Sequence, residues 1–304
     1  MTPLAAERGS GWLRAMPIIF VLIWSTGFIV ARYGMPHAPP LKFLAVRYGL
    51  SLVCLCIWVA AARVAWPATR AQWLHLAITG IFMQAGYLGG VWAAVRVGMG
   101  SGLVALLVGI QPVLTAIWLS ARGGAISRRQ WAGLLLGFAG LVMVVWRKLG
   151  QGGEVTAQSM ALALLALLSI TIGTLYQKRF LAPCDVRSAS MVQLAAALVV
   201  SLPFALLETD PIHWNAESMG AMAWSVLALT LGGSSLLYIL IQRGSATAVT
   251  SLLYLVPPCT AVMAWLLFRE PITALTLAGI AITAVGVSLV VREQRNQEVQ
   301  GVAS

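Results

Sequence analysis

The sequence predicts an all-α integral membrane protein: ten transmembrane helices in two five-helix repeats of inverted topology, set around a central cavity. Three observations predict it. The 304 residues are 60% hydrophobic and only 10% charged, with a mean hydropathy of +0.87, a balance foreign to water-soluble domains. Apolar runs of about 20 residues, enough to cross a hydrocarbon core of roughly 30 Å as a helix, follow one another almost without pause. The sequence also matches itself at one offset of 146 positions, which marks two copies of one unit.

The self-match is clearest between residues 101–145 and 247–291. There Leu106 falls on Leu252, Pro112 on Pro258, Ile126 on Ile272, Gly133 on Gly279, Gly140 on Gly286 and Val144-Val145 on Val290-Val291, without a gap. The same offset brings Gly27 onto Gly173, Val46 onto Val192, Gly86 onto Gly232 and Gly98 onto Gly244. The expected organisation is a first repeat over residues 1–147, a linker at 148–157, a second repeat over 158–291 and a polar cytoplasmic tail at 292–304.

Ten apolar segments fill these repeats, at about 15–34, 42–62, 72–95, 101–121, 129–147, 158–180, 187–207, 217–241, 247–268 and 272–291. The first follows Arg8 and Arg14 and has the outline of a secretory signal. Its counterpart around Gly173, deep in the chain, argues instead that it belongs to the fold. Each repeat holds five spans, an odd number, so the second copy enters the membrane from the opposite side. That is the arrangement of inverted-repeat transporters. With the N-terminus inside, 13 of the 20 lysines and arginines fall in cytoplasmic segments, so both termini are predicted to be cytoplasmic. The loop ETDPIHWNAE, residues 208–217, carries three acids and no base and falls outside.

A net charge of +11 would suggest nucleic acid in a soluble chain. Here the basic residues sit between apolar runs and set topology against the lipid bilayer, so no nucleic-acid partner is expected. The four cysteines give no framework: Cys54 and Cys56 point to different faces of one helix, while Cys184 and Cys259 stand alone. No metal and no cofactor is expected. His37, His75 and His213 lie near span ends without a paired acid or ligand spacing, and no nucleophile motif is present, so an enzyme is not expected. All nine acids fall in loops, tails or segment ends. A proton-for-cation exchanger normally keeps a carboxylate in the membrane; its absence favours uniport down a gradient.

Uncharged polar and aromatic residues recur at corresponding places in the two repeats. Trp24, Ser25 and Thr26 precede Gly27, and Ser169, Thr171 and Thr174 surround Gly173. Gln84, Tyr87 and Trp92 share one side of the third span, as Ser234, Tyr238 and Gln242 share one side of the eighth. Taken singly, the hydroxyls return hydrogen bonds to their own backbones, the glutamines bridge helices and the aromatics mark the interface. Taken as a set present in both copies, they read as the polar lining of a cavity. The candidate substrate-binding residues are Trp24, Ser25, Gln84, Tyr87, Trp92, Gln111, Thr171, Thr174, Tyr238 and Gln242. Pro112 and the pair Pro257-Pro258 either shape the bundle or mark interrupted helices at the site. With Gly27 and Gly173 they are the candidate hinges. Gly133, Gly137, Gly140, Gly279 and Gly286 offer small faces, for packing within a monomer in preference to a dimer seam. Arg47 has two readings, a lure for a carboxylate or a snorkelling interface residue, and the second is favoured.

The runs IWSTGFIVARYGMP (23–36), FLAVRYG (43–49), VRVGMGSGLVALLVGIQPVLTAIWL (95–119) and LLYLVPPCTAVMAWLLFREPIT (252–273) resemble the EamA-type proteins of the drug/metabolite transporter superfamily. The resemblance covers nearly the whole chain. It implies a ten-helix, two-repeat transporter of the bacterial inner membrane, with a cavity between the halves and gating by rocking or bending helices. The position matching Glu270 in the first repeat is Gly124, so any role of that acid is not duplicated. Within the superfamily the chain looks most like the YddG-type exporters of aromatic and other neutral amino acids. The expectation is therefore an amino acid exporter working by alternating access. An exporter of another small neutral metabolite or drug is the alternative, and a non-transporting membrane scaffold the remote one.

Overall fold

The computed structural model describes residues 3–62, 64–99, 104, 107–123, 126–149, 156–243, 249, 252–268 and 274–302. Gly124, Glu270 and most of the linker lie outside them. Ten helical rods run through the described residues, with no strand among them: α1 (Pro3–Gly34), α2 (Pro40–Ala61), α3 (Arg70–Arg96), α4 (Gln111–Ala121), α5 (Arg128–Leu149), α6 (Ala157–Phe180), α7 (Val186–Leu207), α8 (Ala216–Arg243), α9 (Val256–Phe268) and α10 (Ala274–Val302). Five of them, α2, α3, α6, α7 and α8, are each long and apolar enough to cross a membrane, and shorter apolar stretches occupy Ala15–Ala31, Leu252–Leu267 and Leu277–Val290. Large apolar side chains such as Ile57, Val199, Leu207 and Leu266 point outward, whereas Ser25, Gln84, Gln111, Thr115 and Thr174 are buried. Polar groups inside and hydrocarbon outside is the polarity of a bundle solvated by lipid.

Local chemistry starts the helices where the repeats need them. Thr69 caps α3, Asp185 caps α7, and two capping boxes, Thr156 with Ser159 and Asn215 with Ser218, open α6 and α8. In each, a side-chain oxygen takes one of the backbone N–H groups that a helix start leaves free.

The packing is two-fold in its pairings. α5 lies along α10 and α2 along α7, each helix against its own counterpart. α1 packs on α8 and α9, while α6 packs on α3 and α4. Exchanging these helices with their counterparts in the other repeat returns the same pairings. The first helix of each repeat therefore crosses over, giving two bundles, α1–α8–α9 and α6–α3–α4, each mixed from both repeats.

The α5–α10 seam is built on the glycines. A Cβ on Gly133 would lie 2.8 Å from the Gly286 carbonyl oxygen, and one on Gly140 would lie 2.6 Å from that of Gly279. Backbone meets backbone there, so the small faces pack within the chain.

The two ends of the bundle are fastened differently. At one end, α2 begins Pro39-Pro40, and proline has no N–H to satisfy. The next two donors, Leu41 N–H and Lys42 N–H, are taken by the Glu208 carboxylate at 3.1 and 2.7 Å. Lys42 donates to the Asp210 carbonyl at 2.8 Å, and Arg96 bridges the Met35 carbonyl and the Asp210 carboxylate. His37 sits 3.1 Å from Glu217 beside Asn215. The sequence paired no acid with this histidine; the 208–217 loop brings one from the other repeat. Glu208→Ala is expected to lower stability by about 1 kcal/mol, the usual loss on removing a helix cap, and Lys42→Ala, an exposed contact, by much less. Thermal unfolding in detergent separates the two.

At the opposite end, the Arg187 guanidinium and backbone N–H hold Asp185 with contacts of 2.6–2.9 Å. The guanidinium beside it keeps the Asp185 carboxyl below its usual range. Its contribution to stability is complete above the ordinary carboxylate range and is lost as pH falls through that lowered value. Ser188 donates to the Ala65 carbonyl at 2.8 Å, and Arg187 lies over the Trp58 ring.

Candidate functional site

Between the two crossed bundles lie two small adjoining cavities, one larger than the other. Trp24 and Phe28 of α1 and Tyr87 of α3 wall both. Gly27, Leu88, Val91, Trp92, Leu229 and Arg47 add walls to the larger, and Val108, Gly109, Leu253 and Val256 to the smaller. The Trp24 and Tyr87 rings stand parallel, 2° apart in plane and 6.2 Å between centroids. This stack divides the space, and its two rings come from different bundles.

The structure gathers three of the ten sequence candidates, Trp24, Tyr87 and Trp92, around this space, together with the hinge candidate Gly27. Others tie the cavity's helices to one another. Ser25 donates to the Val21 carbonyl and reaches the Val256 carbonyl at 3.3 Å, while Thr260 donates back to the Ser25 carbonyl at 3.1 Å. These bonds join α1 to α9. In the counterpart bundle, Gln111 Nε2 donates to Thr174 Oγ1 at 3.2 Å and to the Ile170 carbonyl at 3.4 Å, joining α4 to α6. Thr171 returns a bond to the Leu167 carbonyl of its own helix. Gln84 Nε2 reaches Ser234 at 3.3 Å, and the buried Oε1 atoms of both Gln84 and Gln111 have no partner. Tyr238 and Gln242 lie elsewhere. The Tyr238 hydroxyl meets Cys184 Sγ at 3.0 Å in a separate apolar cluster with Leu76, Leu181 and Val192, and the Gln242 carbonyl accepts from Lys178.

The prolines stand at helix starts. Pro112 occupies the first turn of α4, directly after a turn at Gly109–Ile110, and Pro257-Pro258 occupy the first turn of α9, directly after a tight 3-10 turn at Leu252–Leu255. Proline is tolerated at a helix start because its missing N–H has no bond to make there. Both helices therefore start beside the cavity, whose smaller part is walled by Val108, Gly109, Leu253 and Val256. Gly173 is a close-approach site: a Cβ there would lie 2.6 Å from Met83 Cγ.

Two features depart from the sequence reading, one unseen there and one weighed the other way. One is a π-helical stretch at corresponding places in the two repeats, Ile81–Gly86 in α3 and Ser225–Ser234 in α8. Such stretches shift the register of a helix by one residue and concentrate at functional sites. Their only sequence trace is the paired Gly86 and Gly232. The other is Arg47. It does not snorkel: it is 2% exposed, donates from Nε to Thr230 Oγ1 at 2.7 Å, and its guanidinium lies 5.9 Å from the centre of the Trp92 ring. The adjacent Tyr48 donates to the Gln84 carbonyl at 2.8 Å. Consecutive residues of α2 thus hold the π-helical stretches of both repeats.

Comparison with known proteins agrees with this architecture. The model of the EamA-like transporter family matches residues 12–146 and again residues 158–292. A probable amino-acid metabolite efflux pump of Salmonella typhimurium is 25% identical over 97% of this chain and 100% of its own length. An uncharacterized inner membrane transporter, YedA, of Escherichia coli is 25% identical over 78% of this chain and 76% of its own. A solved crystal structure superposes with a TM-score of 0.73 at 17% identity, covering 92% of this chain and 97% of that one, a likeness of fold.

Proposed function

The chain belongs to the EamA-like transporter family and is a membrane transporter, and from that premise we propose that it exports amino acids, aromatic and other neutral ones, by alternating access. The observation that carries the proposal is the Trp24–Tyr87 stack standing between two small cavities at the junction of the crossed bundles. Parallel aromatic faces suit an apolar or aromatic side chain. The efflux pump named above, alike over its whole length, supports the direction and the cargo.

In this reading α1–α8–α9 and α6–α3–α4 tilt against each other about the self-paired helices, and the aromatic stack parts to pass the cargo. The 208–217 loop closes the outer end and the Asp185–Ser188 turn the inner one. The membrane is the bacterial inner membrane, with both termini cytoplasmic, and the working unit is a monomer. Proteoliposomes loaded with unlabelled phenylalanine and leucine provide the test. Labelled amino acid should accumulate by counterflow, and protein-free vesicles should stay empty. If no neutral amino acid exchanges while a sugar or nucleoside does, the cargo assignment falls.

A further inference from the structure

Arg47 is a buried cation with no ion pair among the described residues. Asp185, Glu208, Asp210 and Glu217 sit at the ends of the bundle, each held by other partners. Its Nε donates to the neutral Thr230, its guanidinium carbon lies 5.9 Å from the centre of the Trp92 ring, and the residue helps to wall the larger cavity. Arginine at membrane depth is unfavourable by several kcal/mol unless something answers its charge, and such residues are kept at pathways for charged or polar cargo. The fork of N–H donors matches a carboxylate in shape. The counterpart of Arg47 in the second repeat, at the offset of 146, is the neutral Gln193. The charge is therefore a property of one wall and not of the fold's symmetry.

We propose that Arg47 binds the carboxylate of the transported molecule and makes that carboxylate, rather than the amino group, the polar feature the transporter selects. The inference rests on the transport reading above and extends it. The cavity opposes the guanidinium with Trp24, Tyr87 and Trp92 and, among the described residues, with no acid that would hold an ammonium. An aromatic monocarboxylate without an amino group then binds as the amino acid does, and an amino acid amide does not.

The test uses the full chain in nanodiscs, with quenching of intrinsic tryptophan fluorescence as the binding signal. Phenylalanine and 3-phenylpropanoate are expected to bind with similar affinity, and phenylalanine amide about ten- to a hundredfold more weakly, the weight of one charge-assisted hydrogen-bonded contact. Arg47→Gln is expected to weaken the two acids by a similar factor and leave the amide unchanged, with Arg47→Lys in between. The comparison of acid with amide on the unaltered protein stands even if the Arg47 variants fail to fold. Equal binding of acid and amide overturns this proposal while leaving amino acid transport intact. Selective binding of the acids without counterflow of any amino acid supports it and overturns the cargo assigned above.

Discussion

Gly286→Val is expected to leave little folded protein. A Cβ at Gly286 collides with the backbone nitrogen of Gly137 and would lie 2.6 Å from the Gly133 carbonyl oxygen. Backbone atoms in a helix have nowhere to go, so α5 and α10 must separate along the seam where each repeat's last helix meets its counterpart. Overpacking of a tight core costs roughly 1–3 kcal/mol, and a seam of backbone against backbone stands at or above the top of that range. Gly220→Ala is the control, because nothing lies within 4 Å of a Cβ there and alanine favours helix over glycine by about 1 kcal/mol. Thermal midpoints in detergent should differ by roughly 8–16 °C between the two, at about 2–4 °C per kcal/mol for a combined difference of about 4 kcal/mol, and size-exclusion profiles should show aggregation of the valine variant alone. A monodisperse Gly286→Val protein with an unchanged midpoint would show that the seam is looser than described.

The largest functional loss is expected at the aromatic stack. Trp24→Ala removes one face of the pair that divides the cavities, and with it roughly 2 kcal/mol of apolar and stacking contact with a bound side chain. That corresponds to about thirtyfold in affinity. Tyr87→Ala, on the other bundle, should cost a similar amount, whereas Trp24→Phe keeps a face and loses less. Tyr238→Phe and Gln242→Ala are expected to transport at the rate of the unaltered protein, since both residues lie outside the cavity. Initial rates of counterflow against substrate concentration decide it. If Gln242→Ala is as damaging as Trp24→Ala, the site has been placed at the wrong end of α8.

The contrast between Tyr87 and Tyr238 also shows how far residue patterns reach. The ten helices and their inversion could be read from one offset, because a repeat of apolar runs constrains topology whatever the contacts are. Which polar residues face the cavity could not. Tyr238 shares a helix side with Gln242 just as Tyr87 does with Trp92, but α8 descends to the turn bearing Cys184, and its hydroxyl finds a partner there. Arg47 was misleading for a related reason. Five residues into an apolar run is snorkelling distance, yet α2 begins under the 208–217 loop, with Glu208 capping it. Seven residues at 1.5 Å each then carry Arg47 about 10 Å below that cap. The π-helical stretches left almost nothing to read, since a backbone bond reaching five residues back needs no special side chain. Proline placed the breaks in the fourth and ninth spans correctly. It could not decide between a shaped bundle and a helix start, a distinction that depends on the preceding turn.

Alternating access, as proposed for this transporter, requires the cavity between the crossed bundles to open to one side at a time. Locking one end tests it. Lys42 and Asp210 bring α2 of the first repeat against the 208–217 loop of the second, with Lys42 Nζ 2.8 Å from the Asp210 carbonyl. In a chain whose four native cysteines are replaced by serine or alanine, Lys42→Cys with Asp210→Cys should tolerate a short bifunctional thiol cross-linker. Counterflow is predicted to stop when the cross-link forms and to return when a cleavable linker is cut, while tryptophan quenching by phenylalanine persists throughout. Undiminished counterflow through the fully cross-linked protein would contradict the claim.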